Sequence, residues 1–203
     1  MTPHIRLASK SPRRQELLRQ LGVEFDLLKL REAAGRDRDV QEGARDAEPP
    51  LHYVERMART KAAVAWSRMQ QRKLPELPVL SADTEVVLDG KIFGKPTDAA
   101  DAARMLSLLS GKTHEVVSAV AIRLGERTEV EISRSKVAFR PLTAEEIEHY
   151  VATGESDDKA GGYAIQGKAA AFITRIEGSF SGVMGLPLAE TAQILARFGM
   201  PVL

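Results

Sequence analysis

The chain has no cysteine, which excludes disulfide bonds and thiolate metal sites. Aromatic residues make up only 5% of it, and no row of them accompanies Lys10, Arg13 and Arg14. A protein that stacks the bases of single-stranded nucleic acid needs such a row. An excess of one charge sign is also missing. With 29 Lys and Arg against 28 Asp and Glu, the formal net charge is +1, too little to displace counterions from a polyanion. No apolar run is long enough to span a bilayer, and the start, MTPHIRLASK, carries no hydrophobic targeting core, so a soluble cytoplasmic protein is expected. The four histidines, His4, His52, His114 and His149, are scattered without metal-ligand spacing, and a zinc enzyme is not expected. At 203 residues the chain can bury a real core, as one domain or as two lobes sharing a cleft.

The most informative stretch is LPVLSADTEVVLDGKIFGKP, residues 77–96. Val79-Leu80 is too short an apolar run for a helix and reads as a buried strand, which places Asp83 at its carboxyl end. Asp89-Gly90 between Val86-Val87-Leu88 and Lys91-Ile92-Phe93 is a strong hairpin signal. Gly94-Lys95-Pro96 then returns a cation to the neighbourhood of the acid, a layout suited to phosphate chemistry.

Upstream, Ile5 to Ala8 reads as a first strand. Ser11 as N-cap and Pro12 at the first helical position start a helix that buries Leu17, Leu18 and Leu21 and stops at Gly22. Arg13 and Arg14 put positive charge where the helix dipole is already positive. Two readings stay open: an anion is held at this end by backbone N–H groups and guanidinium forks, or both arginines point into solvent. Val23 to Leu30 reads as a second strand, and residues 31–50 as a charged loop. A helix from Leu51 to about Arg72 carries the stripe Leu51, Val54, Ala58, Ala62, Ala65 and Met69, with Trp66 in the core. Lys61 projects from the edge of that stripe, either snorkelling to the rim or reaching into a cleft to meet an anion.

Downstream, Thr97 is expected to cap a helix packed through Met105, Leu106, Leu108 and Leu109 and ended by Gly111. Ser110-Gly111-Lys112-Thr113 has the look of a P-loop tail but lacks the first glycine and a preceding strand, so that reading fails. His114 reads as a strand-end hydrogen-bonding residue. A long hairpin turns at Gly125-Glu126, and Thr143 with Glu146 forms a capping box. Asp157, Asp158, Lys159, Gly161, Gly162, Tyr163, Gln166 and Gly167 then gather charge, glycine and planar side chains in one loop. Gln166 suits a base edge, because its amide donates and accepts at once; an ordinary glycine-rich turn before a strand from Ala171 to Ile176 is the alternative. A last helix buries Leu188, Ile194 and Leu195 and stops at Gly199.

The motifs LASKSPRRQELL, SADT, GKP, LSGKTHEV, DKAGGYAIQG and GLPL, in this order and over nearly the whole chain, closely resemble the Maf family. Its members are nucleoside triphosphate pyrophosphatases once named as septum-formation inhibitors. DKAGGYAIQG is similar to the subgroup acting on dTTP and UTP rather than the 7-methyl-GTP subgroup. The resemblance implies an α/β fold of the Maf/ITPase-like kind. A long curved mixed β-sheet would carry helices on both sides, with two lobes around a nucleotide-binding cleft and residues 1–203 as one Maf-like domain. It also implies a divalent metal cation (Mg2+ or Mn2+), a nucleoside triphosphate substrate and often a homodimer, with no nucleic-acid or membrane partner.

Carried over position by position, the resemblance makes Asp83 the proton acceptor. Arg13, Thr84 and Gln166 become the residues that set substrate choice, and Arg13, Lys61 and Lys95 the phosphate ligands. The implied reaction cuts dTTP or UTP to the monophosphate and pyrophosphate, clearing surplus or non-standard nucleotides. One departure concerns an Asp-Glu pair soon after the second strand, thought to help hold metal or water. The matching stretch reads Gly35-Arg36-Asp37-Arg38-Asp39, with arginine in place of glutamate, and Glu32, Asp37 or Asp39 are the candidate substitutes. That departure keeps open a nucleotide-binding regulator of cell division with little turnover; the intact Asp83 speaks against it.

Overall fold

A computed structural model describes residues 2–30, 39–41 and 43–203. The chain begins with strand β1 (His4–Leu7), helix α1 (Pro12–Gln20), strand β2 (Glu24–Leu27) and the long helix α2 (Pro50–Gln71). The hairpin β3 (Val79–Leu88) and β4 (Lys91–Phe93) follows, then helix α3 (Ala99–Leu109). A second hairpin, β5 (Thr113–Leu124) and β6 (Arg127–Phe139), leads to helix α4 (Ala144–Val151). After two short 3-10 turns come β7 (Ile173–Glu177), the single-turn helix α5 (Phe180–Met184) and the final helix α6 (Leu188–Arg197). The strands make one seven-stranded mixed sheet in the order β2-β1-β3-β5-β6-β7, with β4 added beside β3. β1 runs parallel to both β2 and β3, and the remaining pairs are antiparallel.

Alternation along β3 sends side chains to two different layers. Ser81 donates its hydroxyl to the Ala58 carbonyl of α2 at 2.7 Å, and Val87 packs with Val54, Met57, Ala58 and Ala62 of the same helix. Leu80 and Ala82 face the other way, against Leu17 and Leu18 of α1 and Ile194 and Leu195 of α6. Val86 and Leu88, also on that second face, meet Met105, Leu106 and Leu109 of α3 and Ile147 and Tyr150 of α4. Helices therefore cover both faces, as expected. α2 holds as a single helix because its apolar residues recur every three or four positions and its proline stands at the first turn, where no N–H bond is lost. Among the described residues no helix is long and apolar enough to cross a membrane.

Most expected elements are present, with informative shifts. Asp83 is not at a strand mouth: β3 continues through it to Leu88, so the carboxylate stands in mid-strand. The sequence hid this because Asp83, Thr84 and Glu85 interrupt the apolar run, while pairing to β5 carries the backbone straight through. The cap of α3 is Asp98, whose side chain accepts from the Asp101 N–H at 2.8 Å, not Thr97. β2 is shorter than expected, and β7 begins at Ile173 because residues 168–172 form a 3-10 turn. The short α5, capped by Ser179, lay unread between Ile176 and Gly185.

His114 opens β5 wholly inside the core, and its Nε2 shares a hydrogen bond of 2.8 Å with the Tyr163 hydroxyl. The ring stands edge-on to Phe139 at 5.0 Å. Burial holds its pKa at about 4, below the ordinary 6.5. The unfolded chain therefore binds more protons between those values, so stability is full above the unfolded pKa and falls as pH drops through the window. The loss is bounded at about 3 kcal/mol for this residue. We expect urea melts of a His114→Gln variant to lose less stability between pH 7 and pH 4.5 than the parent does; an equal loss would assign the acid sensitivity to other groups.

Candidate active site

A break in the pairing of β3 creates the site. On one edge, β5 pairs with β3 continuously from Val79 to Val87. On the other, β1 pairs only at Val79 and Leu80, and β4 only from Val86 to Leu88. Between these, from Ser81 to Glu85, that edge has no neighbouring strand among the described residues. The chain leaving β1 turns into α1 at this point, and the chain leaving β4 passes through Gly94 and Lys95. Divergence of strands at their carboxyl ends is where open α/β sheets take their ligands.

Asp83 lies at the centre of the break and faces α2. Lys61 sits one helical turn beyond Ala58, which already receives the Ser81 hydroxyl, so matching strand and helix registers bring lysine and acid together. Lys61 Nζ stands 2.7 Å from Asp83 Oδ1, with the two side chains 16% and 8% exposed. This settles the open reading of Lys61: it turns inward to a carboxylate. Asp83 Oδ2 is also buried and accepts no hydrogen bond among the described residues. Removing one partner of a buried pair strands the other, at a cost of about 3–5 kcal/mol.

Thr84 points to the opposite face and joins a directed chain of hydrogen bonds. Arg14 Nη2 stands 3.4 Å from Thr84 Oγ1, Thr84 Oγ1 2.8 Å from Ser118 Oγ, and Ser118 donates to the Gly182 carbonyl at 2.7 Å. Arg14 Nε donates to the Gly185 carbonyl at 2.7 Å, and Nη1 to Ser9 Oγ at 3.4 Å. Gly185 ends α5 with φ +119, a left-handed conformation that favours glycine. Arg14 therefore ties the start of α1 to the segment after α5.

Arg13 behaves differently. It is half-buried, and its Nε is buried without a hydrogen-bond partner among the described residues. Burial lowers its pKa, opposed by Tyr150 and Asp158. Tyr150 is pushed up to about 12, chiefly by burial. The adjacent pair of arginines thus divides into one bound to protein and one turned to the loop at 157–167.

That loop is seated on the break. The Gly161 N–H donates to the Gly94 carbonyl at 3.0 Å, immediately before Lys95. Gly161 has φ +69, and a Cβ there would come within 2.8 Å of Val86 Cγ2. Lys95 and Gln166 are both exposed and make no hydrogen bond or ion pair among the described residues. The structure thus joins Asp83 to Lys61, and Thr84 to Arg14 rather than Arg13, while Gln166 and Lys95 stand at the rim. Ser118, Gly182 and Gly185 could not be read from sequence, because their roles exist only through contacts between distant segments.

For a divalent cation, the fit rests on the buried, unbonded Oδ2 of Asp83, with Glu85 two residues on along the same face of β3. Magnesium asks for only one or two carboxylates when phosphates supply other ligands, and this donor set meets that need. Among the described residues no group of three or more His, Asp and Glu is arranged to hold a metal ion by itself. Of the proposed substitutes for the altered acidic pair, Glu32 and Asp37 lie outside the described residues, and Asp39 is engaged by Arg68 with its Nε at 3.1 Å.

Gly161 gives a direct stability test. Gly161→Ala meets both a left-handed backbone and Val86, and should cost about 2–5 kcal/mol. Gly154→Ala, with φ +73 but only Asp157 Oδ2 nearby at 3.8 Å, carries the backbone penalty alone, about 1–2 kcal/mol. Equal losses in urea melts would mean that the loop is not pinned against β3.

The Maf-like protein family model matches residues 4–198. The dTTP/UTP pyrophosphatase of Aromatoleum aromaticum is 57% identical over 199 residues, covering 98% of this chain and 97% of the relative. That of Nitrosospira multiformis is 56% identical over 191 residues, with 94% and 92% covered. That of Nitrosomonas europaea is 51% identical over 198 residues, with 98% and 96% covered. The solved structure of the Staphylococcus aureus Ham1 protein is a slighter likeness, with a TM-score of 0.46 and 15% identity over 67% of this chain and 71% of its own. By family model and by relatives matched nearly end to end, this chain belongs to the Maf-like proteins.

Proposed function

We propose that the chain hydrolyses dTTP and UTP to the monophosphate and pyrophosphate, and that the break in β3 is where it does so. The observation that carries this reading is the buried Lys61–Asp83 pair, which leaves Asp83 Oδ2 with an unused acceptor at the carboxyl end of β1. The names of the relatives support the substrate class. Removal of surplus or non-standard pyrimidine nucleotides is the purpose such a reaction serves.

Water attacks the α-phosphorus, the bond to the bridging oxygen breaks, and pyrophosphate leaves. Asp83 accepts the proton of the attacking water as general base. Lys61 fixes the carboxylate through Oδ1, so that Oδ2 is the oxygen presented. Lys61, Arg13 and Lys95 bring positive charge to the phosphates, the electrostatic term on which phosphoryl transfer chiefly depends. Asp83 and Glu85 would hold a magnesium or manganese ion, which when bound neutralises phosphate charge. No covalent intermediate is required.

In this reading Gln166 chooses the base. Its exposed amide has a donor and an acceptor to offer, matching N3–H and an adjacent carbonyl of uracil or thymine. A base that leaves such groups unpaired loses about 1–3 kcal/mol. With equal concentrations of the common triphosphates in competition, dTTP and UTP should be consumed first and ATP and GTP last. Gln166→Glu should weaken UTP use, because the carboxylate keeps the acceptor and loses the donor. A purine consumed first would overturn the base assignment.

Asp83→Asn tests the chemistry. The amide keeps the shape but accepts no proton, so turnover should fall by about 10²–10⁴-fold. Titration of the same variant with manganese separates the roles. Unchanged metal affinity with lost turnover assigns Asp83 as base, parallel loss adds metal binding, and retained turnover excludes Asp83 as the base.

A further inference from the structure

We propose that the outer edge of β7 docks a second copy of this chain, strand against strand, about a two-fold axis through Ile176. β7 ends the sheet, separated from β3 by β5 and β6, and among the described residues no strand covers its outer edge. Residues 174–178 are all exposed, so the edge is an open template for another strand. Both ends of that template are fixed. Thr174 Oγ1 donates to the Ala138 carbonyl at 3.2 Å, and the Ser179 N–H donates to Ser135 Oγ at 2.9 Å. The irregularity in the pairing with β6 falls between Ala138 and Phe139, which leaves Arg175, Ile176 and Glu177 in regular register. A partner strand would therefore meet an edge that is already formed.

The side chains choose both the partner and the register. Strand side chains alternate between faces, and a two-fold axis perpendicular to the sheet preserves those faces, so it must pass through a residue. Centred on Arg175 or on Glu177, it would set two like charges directly opposite, which is destabilising. Centred on Ile176, it sets Arg175 of each copy against Glu177 of the other. The face that carries these charges already shows an alternating ladder: Glu115 on β5 lies across from Lys136 on β6, and Lys136 across from Glu177 on β7. Arg175 of the second copy is the next member of that ladder in sign. Within one copy Arg175 and Glu177 come to 3.5 Å, yet their side chains stay 75% and 59% exposed. Ile176, on the other face, is 36% exposed, and Phe180, just past the strand, is 49% exposed, so the contact also covers apolar surface. The opposite edge of the sheet lacks this complementarity, because β2 carries Glu24 and Asp26 and no base.

Sedimentation equilibrium of the full chain at low salt, over a range of concentrations, tests the proposal. The parent should dimerise. Arg175→Glu makes the charges of the edge wholly acidic and Glu177→Arg makes them wholly basic. Each variant alone should therefore dimerise at least about ten-fold more weakly than the parent. Mixed in equal amounts, the two variants should associate with each other to within about three-fold of the parent affinity, because every cross-strand charge pair is again of opposite sign. Neither variant keeps the Arg175–Glu177 pair within its own chain, so that pair cannot account for recovery in the mixture. A parent that stays monomeric up to about 1 mM would overturn the proposal. Single variants that dimerise as tightly as the parent would overturn it too, as would a mixture no more associated than its components.

Discussion

Placing an ammonium and a carboxylate side by side in a protein interior removes both from water, and neither can be there without the other. The pair between Lys61 and Asp83 meets this condition only because α2 and β3 are locked in register. Ser81 is bonded to Ala58, and the next inward-facing strand residue meets the next turn of the helix. Small residues make the close approach possible, with Ala58, Ala62 and Ala65 wholly buried along the helix. A bulky substitution at Ala58 or Ala62 would therefore act on the site without touching a ligand, by lifting α2 from the sheet.

The break in β3 has a second consequence. In a fully paired strand, Asp83 and Thr84 would belong to separate layers with no shared space. Opening one edge between Ser81 and Glu85 lets loops from both layers reach the same stretch of backbone. α2 supplies Lys61 on one face, α1 supplies Arg13 and Arg14 on the other, and the loop at 157–167 closes in through Gly94. Arg14 holds this assembly together from behind, using the carbonyl that the left-handed Gly185 presents. The electrostatic oddity of two arginines in a first helical turn thus resolves into different duties for each.

Local signals in the sequence were enough for the helices and hairpins, because capping residues, the Asp89-Gly90 turn and three-to-four spacing act within a few positions. Asp89 and Gly90 take φ 50 and 75, as that hairpin turn requires. Asp83 stands out in the sequence, but its setting does not, because only pairing with β5 shows that the strand passes through it. Lys61 was ambiguous for the same reason: whether a lysine at the edge of a stripe snorkels or turns inward depends on what the neighbouring strand offers. The Thr84–Ser118–Gly182 chain links segments far apart in the sequence, and no local pattern announces it.

The central claim is that the triphosphate is cut at the break in β3, beside Asp83. A crystal structure with a non-hydrolysable UTP analogue bridged by nitrogen between the α- and β-phosphates tests it most directly. The account predicts phosphates among Lys61, Lys95 and Arg13, with the α-phosphorus next to the Asp83 carboxylate and the uracil near Gln166. A cavity of about 440 Å³ on the α2 side, lined by Pro49, Val87, Asp89, Glu115 and Arg134, offers the analogue a different home. An analogue bound there, with its α-phosphorus out of reach of Asp83, would contradict the account.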